Sequence, residues 1–117
     1  IGKDVPMSQA LTNLESVIQS ISRDYPLSQI KLLSILPVNE GEEYKQTVYI
    51  RTNEKIREWN QAYEALASAY MQVDFVPIYD SLTDSKGQLQ SAYTTDGLHL
   101  SVAGYQALSD ALKTYLF

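Results

Sequence analysis

Two short apolar runs, Ile30 to Leu36 and Val73 to Ile78, constrain the fold of this chain more than any other feature. Lys31 and Ser34 are the only breaks in the first, and neither run alternates as a solvent-facing strand would, so both read as strands buried on two faces. The segment between them, Thr52 to Met71, carries Ile56, Trp59, Tyr63, Leu66 and Tyr70 at alternating steps of three and four, which is the core face of a helix. A helix also precedes the first run. From Ser8 to Arg23 the residues Leu11, Leu14, Ile18 and Ile21 form an apolar stripe that Val17 widens; Pro26 ends this helix and Pro37 closes the strand that follows. A last helix, Val102 to Leu116, is expected to bury Leu108, Leu112 and Leu116, with Tyr105 and Tyr115 beside them.

Helix, strand, helix, strand, loop, helix is the order of an α/β fold, with parallel strands joined by helical crossovers. Two parallel strands do not make a free-standing sheet, because such sheets typically have about 4–6 strands and helices on both faces. The expectation is therefore that residues 1–117, enough for one domain, form the C-terminal half of a larger α/β unit. The start agrees, since Ile1 is not a methionine and Ile1 to Pro6 reads as a loop before a helix. Of the connecting segments, Asn39 to Gln46 is polar, with Glu40, Glu42 and Glu43 around Gly41, and reads as a solvated loop. Asp80 to Thr95, containing Asp84 and Gly87, has no periodicity and reads as a second loop.

Composition narrows the classes of partner. A net charge of -5, with the nine basic residues scattered singly, argues against nucleic acid or an anionic membrane surface. No stretch approaches the roughly 20 apolar residues of a membrane-spanning helix. The absence of cysteine removes disulfides, thiolate metal sites and cysteine nucleophiles from this segment, and is compatible with a reducing cytoplasm.

The chemistry concentrates in one place. The single histidine, His99, lies in the run Thr95-Asp96-Gly97-Leu98-His99-Leu100-Ser101-Val102-Ala103-Gly104-Tyr105, three residues after a carboxylate. A carboxylate that accepts the Nδ1 proton of an imidazole fixes its tautomer and leaves Nε2 free to take a proton from a hydroxyl. Gly97 permits the sharp backbone such a turn needs, and Ser101 is placed to cap the next helix. The spacing also admits a reading without chemistry, in which Asp96 and Ser101 are two caps around a loop and His99 is a half-buried polar residue. A metal site at Asp96 and His99 would lack ligands, because stable sites need about three or four and the sequence has no other His or Cys.

The block Asp96-Gly97-Leu98-His99-Leu100-Ser101-x-x-Gly104-Tyr105, followed by a helix, resembles the last conserved block of the SGNH or GDSL-type serine esterases and lipases. Lys31 to Val38 resembles the late strand of that family with its terminal proline, and Asn53 to Asn60 the helix that follows. The acidic loop between them, and the strand leading to Asp80, are similar to the branch related to platelet-activating-factor acetylhydrolase. The resemblance implies a three-layer α/β sandwich around a parallel sheet, of which this chain is the second half. It implies that Asp96 and His99 are the acid and base of a Ser-His-Asp triad, that the substrate is a small-molecule carboxylic ester, with short acyl or acetyl groups the expected acyl part, and that no cofactor takes part.

The departures from the family pattern are informative. No Gly-Asp-Ser nucleophile block occurs, and none of the serines lies in a glycine-framed turn; Ser34, inside a strand, reads as a small core residue. Gly2-Lys3-Asp4 is at most a decayed form of the Gly-x-Asn-Asp oxyanion block, and Asp4 falls where it would cap the first helix. The segment is thus expected to supply an acid-base pair without a nucleophile and to be inactive alone. The competing expectation is a non-catalytic α/β binding module in which Asp96 and His99 are structural. The active-site loop should leave from the carboxyl end of the strands, where open α/β sheets bind their ligands.

Overall fold

A computed structural model of the chain describes residues 6–48 and 51–116. Gly2, Lys3 and Asp4, with the expected cap at Asp4, lie outside the described residues, as does the side chain of Leu116. The elements are α1 (Met7–Asp24), β1 (Ile30–Leu33), a 3-10 turn (Glu42–Tyr44) running into the short α2 (Lys45–Val48), α3 (Asn53–Ser68), β2 (Val73–Val76) and α4 (Val102–Leu116). Two more 3-10 turns, Tyr79–Leu82 and Ser91–Tyr93, give form to the long segment expected as a plain loop.

β1 and β2 pair in parallel, with Ile30 opposite Val73 and Leu33 opposite Val76, and α3 provides the crossover between them. Helices α1 and α3 lie over one face. There Ile18, Ala67 and Val73 are buried, with Leu14, Ile30, Leu32, Leu66, Tyr70 and Phe75 packed around them. The opposite face departs from the expectation of strands buried on both sides: Lys31 and Asp74 are exposed and form a cross-strand ion pair at 2.7 Å, and Leu33 is 37% exposed. Val17, expected to widen the buried stripe of α1, is instead 55% exposed. On α4, Leu108 and Leu112 are only half-buried and both tyrosines are exposed.

The strands are also shorter than their apolar runs, for identifiable reasons. Beyond Ser34, whose N–H still donates to the Val76 carbonyl, the Ile35 backbone is claimed by a side chain: Asn60 accepts from the Ile35 N–H at 2.7 Å and donates to its carbonyl at 3.1 Å. β2 stops where Pro77 has no N–H to offer and the Ile78 N–H turns back to the Val76 carbonyl. α3 starts with Thr52 as its cap, the hydroxyl accepting from the Lys55 N–H, and ends at Ser68, so the expected last turn to Met71 is absent.

A second core sits beyond the carboxyl ends of the strands. Val38, Val48, Ile56 and Tyr79 are buried there, and Ile35, Tyr44 and Leu98 pack against them. It is tied to α3 by Asn53, 1% exposed, whose amide accepts from the Val38 N–H at 2.8 Å and donates to the Val38 carbonyl at 2.7 Å. Asn53 and Asn60 each therefore clasp both backbone groups of one residue and substitute for the missing strand ladder. Leu82 and Leu89, both fully buried, belong to the aperiodic segment and carry no signal in the sequence. Replacing Asn53 by Leu leaves the Val38 N–H buried and unpaired, while the Val38 carbonyl keeps the Leu89 N–H at 3.0 Å, so N53L is expected to lower the urea unfolding free energy of the full-length protein by about 1–3 kcal/mol. N60L, at a half-buried position, is expected to cost less in the same measurement.

Candidate functional site

Asp96 and His99 occupy the tip of a loop whose neck is closed by hydrogen bonds. The Ser101 N–H donates to the Tyr93 carbonyl at 2.8 Å, and the Ser101 hydroxyl donates to the Ala92 carbonyl at 3.0 Å while accepting from the Gly104 N–H at 3.2 Å. One hydroxyl thus caps α4 and fastens its start to the preceding turn. Gly104 is needed here, because a Cβ at that position would collide with the Tyr93 carbonyl oxygen. An antiparallel bridge between Thr94 and Leu100 completes the neck.

At the tip the Asp96 carboxylate folds its own turn. Oδ1 accepts from the Leu98 N–H at 2.9 Å and the His99 N–H at 2.7 Å, and Oδ2 meets His99 Nδ1 at 2.6 Å. The bond to the imidazole and the two backbone N–H groups hold the Asp96 carboxyl well below the usual carboxylate range, so it is ionised at neutral pH. An ionised carboxylate only accepts, which places a proton on Nδ1 and leaves the Nε2 lone pair free when the ring is neutral. The His99 side chain is 73% exposed, against 33% for Asp96, and Asp96 is its one side-chain partner among the described residues. The ring is therefore not half-buried, as the reading without chemistry expected. Asp96 and Ser101 nevertheless both cap N–H groups as that reading proposed.

Gly97 makes the turn possible. Its φ of +83° lies in the left-handed region, and a Cβ there would run into the stem of the Tyr44 side chain and sit 2.9 Å from the Asn39 carbonyl oxygen. The Asn39 N–H donates to the Gly97 carbonyl at 2.8 Å. The acidic segment after β1 is thus a support of the Asp96 loop as well as a solvated surface, and Asn39 and Tyr44 had no signature in the sequence. Thr94, 5% exposed, also went unrecognised there; its hydroxyl donates to the His99 carbonyl at 2.6 Å and accepts from the Gly97 N–H at 2.9 Å.

A groove of about 200 Å³ lies elsewhere, lined by Ser34, Arg57, Asn60, Phe75, Pro77 and Tyr79 among others, and neither Asp96 nor His99 borders it. Among the described residues no three His, Asp or Glu side chains gather to hold a metal ion, and no helix is long and apolar enough to cross a membrane.

Two measurements check this geometry. Gly87 and Gly97 both have positive φ, but only Gly97 is crowded; G87A is expected to cost about 1 kcal/mol of backbone strain and G97A at least about 2 kcal/mol, compared by urea unfolding. Because the Asp96 pKa is lowered by folding, its contribution to stability is complete above the unfolded value near ~4 and is lost as the pH falls through the lower folded value. Wild-type stability should therefore drop below about pH 4 more steeply than that of D96N, as read from unfolding curves between about pH 2 and 6.

Similarity to known proteins places this chain in a family. The model of the GDSL-like lipase/acylhydrolase family matches residues 1–107. Among solved structures, a Streptococcus pneumonia chain provisionally named a platelet activating factor is 73% identical, with a TM-score of 0.97, over 100% of this chain and 55% of its own. A GDSL-like lipase from Bacteroides thetaiotaomicron is 23% identical with a TM-score of 0.75, over 96% of this chain and 53% of its own. The esterase domain of the ORF1 protein of the zebrafish ZfL2-1 retrotransposon is 22% identical with a TM-score of 0.68, over 96% of this chain and 60% of its own. The chain thus spans a little over half the length of each of these structures. No curated protein matches it. The mixed helix and strand architecture with a parallel sheet is that of the GDSL/SGNH α/β hydrolase fold in part, and this chain belongs to the GDSL-like lipase/acylhydrolase family.

Proposed function

We propose that residues 1–117 are the C-terminal part of a single SGNH-type hydrolase domain, and that the intact protein cleaves carboxylic esters through a Ser-His-Asp mechanism in which this chain supplies Asp96 and His99. The observation that carries the reading is the 2.6 Å contact between Asp96 Oδ2 and Nδ1 of a solvent-open imidazole. The nucleophilic serine and the oxyanion donors are assigned to the part of the domain outside these residues, because no Gly-Asp-Ser or Gly-x-Asn-Asp block occurs within them. The substrate class is a small-molecule ester with a short acyl or acetyl group.

In the first step His99 Nε2 takes the proton of the attacking serine hydroxyl as its oxygen bonds to the ester carbonyl carbon. Asp96 keeps the ring in the required tautomer and stabilises the imidazolium that forms. The imidazolium returns the proton to the leaving alkoxide as the acyl–oxygen bond breaks, and the acyl-enzyme is then hydrolysed by water that His99 activates in the same way. The segment alone has the base without its nucleophile. Loss of a triad member costs on the order of 10⁴ in rate and loss of an oxyanion donor another ~10²–10³, so residues 1–117 in isolation should show no hydrolysis above background.

Hydrolysis of p-nitrophenyl acetate by the full-length protein tests the reading. H99A and D96N are each expected to lower kcat by on the order of 10⁴ while the circular dichroism spectrum stays that of the wild type. Undiminished hydrolysis in folded H99A would exclude the triad role of the pair, whereas absence of hydrolysis by the folded wild type would leave the binding-module reading, in which the pair is structural.

A further inference from the structure

The N–H groups of the turn that carries the acid-base pair are held by side chains. Asp96 Oδ1 takes those of Leu98 and His99, and Thr94 Oγ1 takes that of Gly97. Thr94 also reaches across the turn, because the proton of the same hydroxyl goes to the His99 carbonyl at 2.6 Å. Its position is well determined: the residue is 5% exposed, it stands in the bridge with Leu100 at the loop neck, and a β-branched side chain has few χ1 choices. The two side chains grip the turn from different points. Asp96 acts from within it, and Thr94 acts from the anchored neck.

From this we infer that Thr94 is a positioning residue for the proposed triad, fixing the backbone of His99 so that the ring stays on Asp96 and faces the attacking hydroxyl. The inference rests on the ester-hydrolase reading and extends it to a residue with no contact to substrate. Thr94 holds the main chain on both sides of Leu98, at the Gly97 N–H and the His99 carbonyl. Without its hydroxyl, the His99 carbonyl loses the bond joining it to the neck and the Gly97 N–H loses its acceptor. Rate depends steeply on such placement: a misplacement of about 1 Å can cost ~10²-fold.

The test uses the full-length protein and p-nitrophenyl acetate. T94V keeps the shape and deletes the hydroxyl; it is expected to lower kcat about 10- to 100-fold with KM within about twofold, and to weaken the downfield Nδ1 proton resonance of His99 in the NMR spectrum. T94S keeps the hydroxyl and should retain most of kcat and the resonance. If T94V does not fold, T94S and T94A serve in its place, since they differ by the hydroxyl alone, and T94A is expected to be at least about tenfold slower. A kcat for T94V, or in its absence for T94A, within about twofold of that for T94S would overturn the positioning role. H99A and D96N separate that failure from a wider one. If they are inactive while the Thr94 variants are unaffected, only the positioning role falls, whereas undiminished activity in folded H99A removes the triad role of Asp96 and His99 and the positioning role with it.

Discussion

The Asp96 carboxylate is the group on which the site depends. One oxygen closes the turn by accepting two backbone N–H groups, and the other holds the imidazole. The bonds that fold the loop are the same bonds that favour its ionised form, so the turn and the charge stabilise each other. A structural cap and a partner for His99 are therefore not alternatives at this position. The turn is built so that the cap leaves one oxygen over, aimed at the ring.

That turn is held in place by the core beneath it. Leu98, between the acid and the histidine, packs into the cluster of Val38, Val48, Ile56 and Tyr79. The Asn39 N–H binds the Gly97 carbonyl, and the preceding residue, Val38, is clasped on both backbone groups by Asn53 of α3. A short, largely buried path thus runs from the crossover helix through the segment after β1 to the tip of the loop. This path also explains why β1 ends early: its continuation leaves the sheet ladder to be bound by Asn53 and Asn60, and that diversion delivers residues 38 and 39 to the site.

Much of this was legible in the sequence. The three long helices and two strands follow from spacing, since the stripe of Ile56, Trp59, Tyr63, Leu66 and Tyr70 has only one compact solution, whereas the short α2 begins within a segment that reads as a loop. Asp96, Gly97, His99 and Ser101 stood out because each has a chemical reason for its type at its position. What escaped were contacts between segments that are distant in sequence. Nothing near Asn39 or Tyr44 announces that they support Gly97, and nothing in the aperiodic stretch marks Leu82 and Leu89 as core or Thr94 as a strut. The apolar runs overstated the strands for a related reason. Hydrophobicity reports burial: Ile35 packs against the second core and Ile78 is fully buried, yet neither belongs to the sheet.

The support for the pair and the support for the sheet differ in kind. The bonds that fix Asp96 and His99 come from residues 39 and 94–99, and the half-buried Leu98 packs against the core beneath them, so the contact between the imidazole and Asp96 is set within this segment. The sheet is less self-sufficient: Lys31 and Asp74 pair on its open face, Leu33 is partly exposed beside them, and the apolar stripe of α4 is only half covered. Asp96 and His99 are thus prearranged by local chemistry, whereas the two strands leave part of one sheet face open. In the triad proposed above, the sheet would bring the attacking hydroxyl to an imidazole whose free nitrogen the loop has already set, so errors of strand packing would change the distance between the two groups while leaving the tautomer intact.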